Sequence, residues 1–319
     1  MRICITGGAG YVGSRLVPYL LANGDNIVTV LDTFWYGDFL PEHKNLIKIK
    51  GDIRNRKDLQ RAFVSQNIVI HLACVSNDPS FDLNPSLGEE VNLKTFPMII
   101  EEMFNLKVKR FVYASSSSVY GVSNLLDVRE DSPKSPLTDY SKFKLKCEDI
   151  LINEPMNWTI LRPATVCGMS PRMRLDVVVN ALSVSALLKK KITLYGRNQK
   201  RPNINIKDMC AAYEFIIDNP KITKHKTYNV GFENLRLIDI AEEVASVCRD
   251  EGSEIDIEEA PTNDPRSYHI NSDKIIADGF KPKHTIKDAI KSIRGKIHKL
   301  DRPLENALYY NVKRMKELS

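Results

Sequence analysis

One short stretch constrains this chain more than any other. Thr6-Gly-Gly-Ala-Gly-Tyr-Val-Gly-Ser14 follows an apolar run, Arg2 to Thr6, and opens an amphipathic segment, Ser14 to Asn23. The run is too short for a helix and fits a buried strand. Gly7, Gly10 and Gly13 permit a tight turn and bring bare backbone close to any anion at the helix N-terminus. Tyr11 and Val12 ride on the same turn. A plain strand-to-helix connection has this spacing too, so the triplet needs context.

Context comes from the alternation that follows. Ile27 to Leu31, Leu46 to Lys50, Ile68 to Leu72 and Arg110 to Ser115 are apolar runs. Between them lie helix-like segments at Lys57 to Gln66 and Ser86 to Asn105. Uninterrupted apolar strands between helices predict a parallel sheet covered on both faces, an α/β doubly wound Rossmann-type fold. Tyr140 to Ile152 reads as a helix and Trp158 to Leu161 as a strand. Beyond Gly168 the rhythm loosens. Asp176 to Lys189, Asp208 to Asp218, Leu237 to Cys248 and Ile286 to Lys299 read as helices and Ile192 to Tyr195 as a strand. Pro303 to Leu318 reads as a peripheral helix.

Composition narrows the class. Lys+Arg 46 against Asp+Glu 40 leaves a net +6. Its densest basic clusters are short and carry no interleaved aromatics, which speaks against nucleic acid. The six cysteines form no C-x-x-C pair and several sit in apolar runs, as reduced core residues do. The histidines show no ligand spacing, so no metal is expected. With no basic-then-apolar leader and no apolar run near ~20 residues, the expectation is a cytoplasmic protein without a membrane partner.

Asp32 ends the second run about 20 residues past the last glycine, where an acidic side chain binds ribose hydroxyls. Its charge would repel a 2′-phosphate, and residues 33 to 37 hold no Arg or Lys. NAD is therefore expected over NADP. Asp52 and Ile53, after the third run, suit an adenine contact or a plain helix cap. Tyr140 and Lys144 are four apart on a helix, hence on one face. A nearby ammonium favours phenolate and makes tyrosine a usable base. Ser115 to Ser118 place hydroxyls at the carboxyl end of a parallel strand, where such sheets hold ligand chemistry.

With these residues the chain resembles the extended short-chain dehydrogenase/reductase superfamily, in its NAD-dependent nucleotide-sugar epimerase/dehydratase branch, and most of all UDP-glucose 4-epimerase-like members. TGGAGYVGS, LD, GDIRN, HLA, VN, SSSSVYG, YSKFK, LRPATVCG, RPNINIKD, YNVG and GFKPK occur in order over about residues 1 to 300. The resemblance implies an NAD-binding domain over 1–168, rejoined by about 203–235. A smaller C-terminal α/β substrate-binding lobe with a C-terminal helix would occupy most of 169–319, and a homodimer is implied. It makes Tyr140 the base or acid at a sugar hydroxyl and Lys144 the partner of the nicotinamide ribose. Ser116, or Ser117 sharing its task, would bond the reacting oxygen. Leu72, Ala73 and Cys74 would line the cofactor channel, with Pro163 at the nicotinamide end and Asn92 ordering the site.

The departures matter as much. Dehydratases of the family carry Asp-Glu before V-Y-G, where this chain has Ser117 and Ser118, so elimination of water is not expected. Thr165 and Cys167 replace the family's Asn and aromatic, and Ser76 stands where many 4-epimerases have Lys. The expectation is hydride removal at C4 of a nucleotide-diphosphate sugar, giving a 4-keto intermediate, with epimerisation ahead of a 4-dehydrogenase or 4-ketoreductase outcome. A non-catalytic dinucleotide sensor is the rival from another class. Arg201 and Arg266 would hold the diphosphate, with Asn180 beside it. In Ser170-Pro-Arg-Met-Arg-Leu-Asp176, Arg172 or Arg174 either recognises the sugar or braces the loop against Asp176.

Overall fold

The computed structural model describes residues 1–123, 125, 127–250, 252–262 and 269–318. In chain order the strands are β1 (Arg2–Thr6), β2 (Ile27–Asp32), β3 (Leu46–Lys50), β4 (Ile68–His71), β5 (Arg110–Ala114), β6 (Asn157–Pro163), β7 (Thr165–Cys167), β8 (Lys191–Tyr195), β9 (Lys200–Asn205), β10 (Lys226–Val230), β11 (Glu233–Arg236) and β12 (Asp256–Ala260). Seven of them form one sheet, ordered β10-β6-β5-β4-β1-β2-β3, with every pair parallel. This is the doubly wound α/β architecture that the apolar runs predict. β4 is buried along its whole length, and β1 at all but its first residue. At the edge, β3 exposes Lys50 and packs Ile49 inward, the alternation a one-sided strand needs.

β2 and β4 flank β1, so the order reverses between β1 and β4. Connections leaving these two strands run to opposite faces and open a crevice at their carboxyl ends. Past β6 the chain builds two smaller sheets, β11-β9-β7 and β12-β8. Helices Val178–Lys189, Leu237–Arg249 and Ile286–Lys296 pack around a second core containing Val179, Ile192, Val244 and Ile290. Helix Ile206–Asp218 returns to the main sheet, where Met209, Tyr213 and Ile216 join the core with Tyr228 of β10.

The structure departs from the sequence reading in several segments. The helix expected over Ser86 to Asn105 is interrupted by a π turn, Glu90–Lys94, before Phe96–Asn105. Pro97 has no N–H to continue the ladder, and the Thr95 N–H reaches back five residues to the Glu90 carbonyl at 3.1 Å. The Cys147 thiol, 3.1 Å from the Asn92 carbonyl, satisfies an oxygen of this widened turn. β9, β10, β11 and β12 escaped notice because polar residues dominate them; β11 reads Glu-Asn-Leu-Arg. The carboxyl-terminal stretch is a turn, Ala307–Tyr309, and a helix, Asn311–Leu318. Despite its polarity it docks firmly, burying Tyr309, Asn311 and Met315. Among the described residues no helix is long and apolar enough to cross a membrane.

Candidate active site

A cleft of about 540 Å³ runs along the carboxyl ends of β1, β2, β4, β5 and β6, a size that suits a cofactor and a small substrate. Its floor is the glycine turn. Gly7 has φ +73°, and a Cβ there would stand 2.5 Å from the Ala73 backbone nitrogen. A Cβ on Gly13 would meet Gly8 backbone at the same distance. Both glycines are therefore needed for close backbone packing, one turn-to-channel and one within the turn. Gly10, Tyr11 and Val12 line the cleft at the start of helix Gly13–Leu21, and Leu72, Ala73 and Cys74 form the facing wall.

At the far end of this floor, the Asp32 carboxylate accepts from the backbone N–H groups of Ala9, at 2.9 Å, and Phe34, at 2.8 Å. Burial pushes its pKa up, while those two amides pull the other way. Each oxygen keeps a lone pair for a ribose hydroxyl. Asp52 lines the cleft beside Ile53, but also caps its own turn and pairs with Arg54 at 2.7 Å. Asp52 thus makes the turn while it faces the cleft. Trp35 and Tyr36 close the wall above.

Toward the sheet centre, helix Asp139–Ile152 begins with a capping box, Thr138 with Ser141. That cap fixes where its first turn presents Tyr140. Lys144, one turn on, is 3% exposed and donates to the Ala114 carbonyl at 2.7 Å. Its ammonium lies 5.9 Å from the Tyr140 ring centroid and 5.0 Å from that of Tyr113. Ser116 caps the turn Ser117–Tyr120, accepting from the Ser118 amide at 3.1 Å and the Ser118 hydroxyl at 2.8 Å. Burial raises the Tyr140 pKa above the ordinary phenol range. The Arg174 charge and the Ser116 hydroxyl act against it. The arrangement brings a phenol, a hydroxyl and an ammonium to one wall of the cleft, with Ser117, Pro163 and Thr165 lining the space beside them.

Beneath that wall lies a buried polar network. Glu148, two turns past Tyr140, accepts from Ser115 and from Arg162, whose Nη2 is 2.6 Å away. Arg162 also donates to the Tyr120 hydroxyl at 2.7 Å, and Tyr120 donates to Asn229 at 2.7 Å. The helix carrying Tyr140 is thereby tied to the strand ends carrying Ser116 and Pro163.

Two expected ligands, Asn180 and Asn92, lie outside the cleft lining. Asn180 is fully buried away from the cleft lining, and its amide is spent: it donates to the Tyr11 hydroxyl and the Arg174 carbonyl and accepts from the Gly168 N–H. It holds the glycine turn's Tyr11 in place. The Asn92 side chain likewise bridges the Val75 N–H and carbonyl, at 2.8 and 2.9 Å, bracing the channel wall from behind. Arg201 lines the cleft while donating to Gln199 at 2.9 Å. Arg266 lies outside the described residues. Arg174 pairs with Asp176 at 2.8 Å, the bracing option, and also faces the cleft. Sequence reading missed Asn311. It lines the cleft from the last helix and donates to the Ser76 hydroxyl at 2.7 Å, at the position where many 4-epimerases place a lysine. No local pattern marks so distant a residue.

The family model described as the NAD dependent epimerase/dehydratase family matches residues 3–231. The low-salt glycan biosynthesis protein Agl12 of Haloferax volcanii is 25% identical, the match covering 92% of this chain and 97% of that protein. A UDP-glucose 4-epimerase of Lactobacillus helveticus is 26% identical over 94% and 97%. The crystal structure of a Thermus thermophilus UDP-glucose 4-epimerase in complex with NAD superimposes with a TM-score of 0.81 at 26% identity, covering 92% of this chain and 99% of that one. The crevice, the glycine cradle and Asp32 suit NAD, which the Thermus thermophilus epimerase holds, and the chain is a member of the NAD dependent epimerase/dehydratase family.

Proposed function

We propose that this enzyme is a nucleotide-sugar epimerase that removes hydride from C4 of a nucleoside-diphosphate sugar and returns it to the opposite face of a 4-keto intermediate. The reading rests above all on one observation: Tyr140, Ser116 and Lys144 share a cleft wall that offers no spare carboxylate among the described residues. The cleft's acidic residues are each engaged, Asp32 by backbone amides, Asp52 by Arg54, Asp78 by Thr138 and Asp176 by Arg174. Elimination of water needs an acid and a base besides the tyrosine. Ser118, where a dehydratase would place one of them, spends its hydroxyl on Ser116.

Bound NAD supplies the hydride acceptor and donor. The chain's own groups do the rest. Tyr140 takes the proton from the C4 hydroxyl as hydride leaves, and gives it back on return. Ser116 orients that oxygen, and Lys144, held by Ala114, keeps positive charge where phenolate forms. Arg201 and Arg266 are assigned to the diphosphate, Ser117 and Thr165 to the sugar. The six cysteines are free thiols, which suits a reducing cytoplasm. Phe104 and Ile152, exposed on helices Phe96–Asn105 and Asp139–Ile152, suit a homodimer. Agl12 is a glycan biosynthesis protein, and surface-polysaccharide sugar supply is the role proposed here. Incubation with UDP-, GDP-, CDP- and dTDP-sugars, followed by product chromatography, tests the reading. An epimer at C4 supports it; a released keto sugar would make the enzyme a 4-dehydrogenase, and a 4,6-dehydrated product would overturn it.

A further inference from the structure

Arg172 is 2% exposed, yet it lines the cleft. The loop that carries it is pinned to the glycine turn and first helix: Ser170 donates to the Tyr11 carbonyl at 2.7 Å, and the Arg172 N–H donates to Ser14 at 3.0 Å. From there the guanidinium lies over the Tyr36 ring, 4.0 Å from its centroid. Its Nη2 donates to Asn311 at 2.7 Å, while its Nε is buried without a hydrogen-bond partner among the described residues. Arg174 beside it pairs with Asp176; among the described residues the direct partners of Arg172 are a neutral amide and a ring, and the carboxylates of Asp32 and Asp176 act on its charge from beyond ion-pair distance. Burying a guanidinium that lacks an ion-pair partner is costly. Burial lowers its pKa to about 10, so it stays charged at neutral pH. A buried, charged fork with an unbonded Nε beside a ligand cleft, its nearby carboxylates Asp32 and Asp176 each engaged by other groups, suits an incoming anion.

Position selects the anion. Arg172 stands between Tyr36 and Asp32, at the ribose end, and Tyr11 and Ser14 of the glycine turn. A dinucleotide lying from Asp32 along that turn carries its diphosphate through this space. We infer that Arg172 is the second half of the cofactor's diphosphate site, clamping from above the phosphates that the glycine turn holds from below. Asn311 presents the guanidinium, so the carboxyl-terminal helix contributes to cofactor retention. The inference rests on the NAD reading of the cleft. The same chemistry would serve the diphosphate of a nucleotide sugar or a 2′-phosphate, and the experiment separates the three.

Calorimetric titration of the full-length protein, freed of nucleotide, with adenosine, ADP, adenosine 2′,5′-bisphosphate and UDP is the test. Arg172→Gln is expected to weaken ADP about tenfold or more, as loss of a bidentate charge-assisted contact does, and to leave adenosine within about twofold. Asn311→Asp, which hands the guanidinium a carboxylate, is expected to weaken ADP in the same selective way and serves if Arg172→Gln does not fold. Equal losses for adenosine and ADP would make Arg172 structural. Unchanged ADP binding in the folded variants, or a loss confined to UDP or to the 2′,5′-bisphosphate, would overturn the assignment. A wild-type protein that binds no adenine nucleotide would overturn the NAD reading along with it.

Discussion

Lys144 donates its ammonium to the carbonyl oxygen of Ala114 at 2.7 Å, which locks the helix carrying Tyr140 to the strand end that leads into Ser116. The bond aims one N–H at the sheet and leaves the rest of the ammonium for the cleft. Replacing Lys144 by Met removes the charge that favours phenolate and orphans a buried carbonyl. Turnover is expected to fall about 100-fold or more, in the range general-base losses cover. Arg is not expected to rescue it, because a planar fork cannot reproduce a point charge in that slot. Steady-state kcat for the Met and Arg variants checks both statements.

Glu148 and Arg162 are each 4% exposed in their side chains. Glu148→Gln leaves Arg162 with an uncompensated buried charge, and loss of about 3–5 kcal/mol in folding stability is expected. Replacing Arg162 by Met in the same chain should recover much of that loss. Urea unfolding midpoints measure it; an unshifted midpoint for Glu148→Gln would contradict the buried-pair account.

The fold was readable because the physics was local. Apolar runs of strand length, a glycine turn after the first and an acid ending the second identify the sheet and its cofactor crevice from neighbouring residues alone. That Tyr140, Lys144 and Ser116 meet at one cleft wall was readable for the same reason, since a four-residue helical spacing and a strand end suffice. Asn180 shows the opposite case. An amide opening a helix looks the same in sequence whether it faces a ligand or, as here, is consumed by Tyr11, Gly168 and Arg174. Arg172 and Asn311 form a contact across 139 residues of chain, and nothing in either segment announces it.

Burial raises the Tyr140 pKa, and the positive charge of Arg174 works against that rise. A base acts once deprotonated, so turnover is expected to increase with pH along an acidic limb set by Tyr140. Arg174→Gln removes a charge that favours phenolate, and the limb should move to higher pH. The kcat–pH profiles of the two proteins decide; a limb that stays put or moves to lower pH would contradict the placement of Arg174 near the phenol.

His71 is 3% exposed, bonded through Nδ1 to the Thr6 hydroxyl at 2.7 Å and stacked on Tyr113. Burial, with Lys144 adding to it, lowers its pKa from 6.5 to about 3. A histidine kept neutral in the fold but free to charge when unfolded contributes stability above about pH 6.5, and that contribution drains away as pH falls toward about 3. Thermal midpoints of the wild type should drop across this window, and His71→Gln should flatten the slope there.

The central claim is that Tyr140 drives hydride removal from a nucleotide sugar, and it is tested most directly by absorbance at the reduced-nicotinamide band. Wild-type protein loaded with NAD is expected to show a transient rise with the accepted nucleotide sugar. Tyr140→Phe, binding NAD as tightly, is expected to show none and to lose turnover. A Tyr140→Phe protein that raises the band and turns over like the wild type would contradict the account.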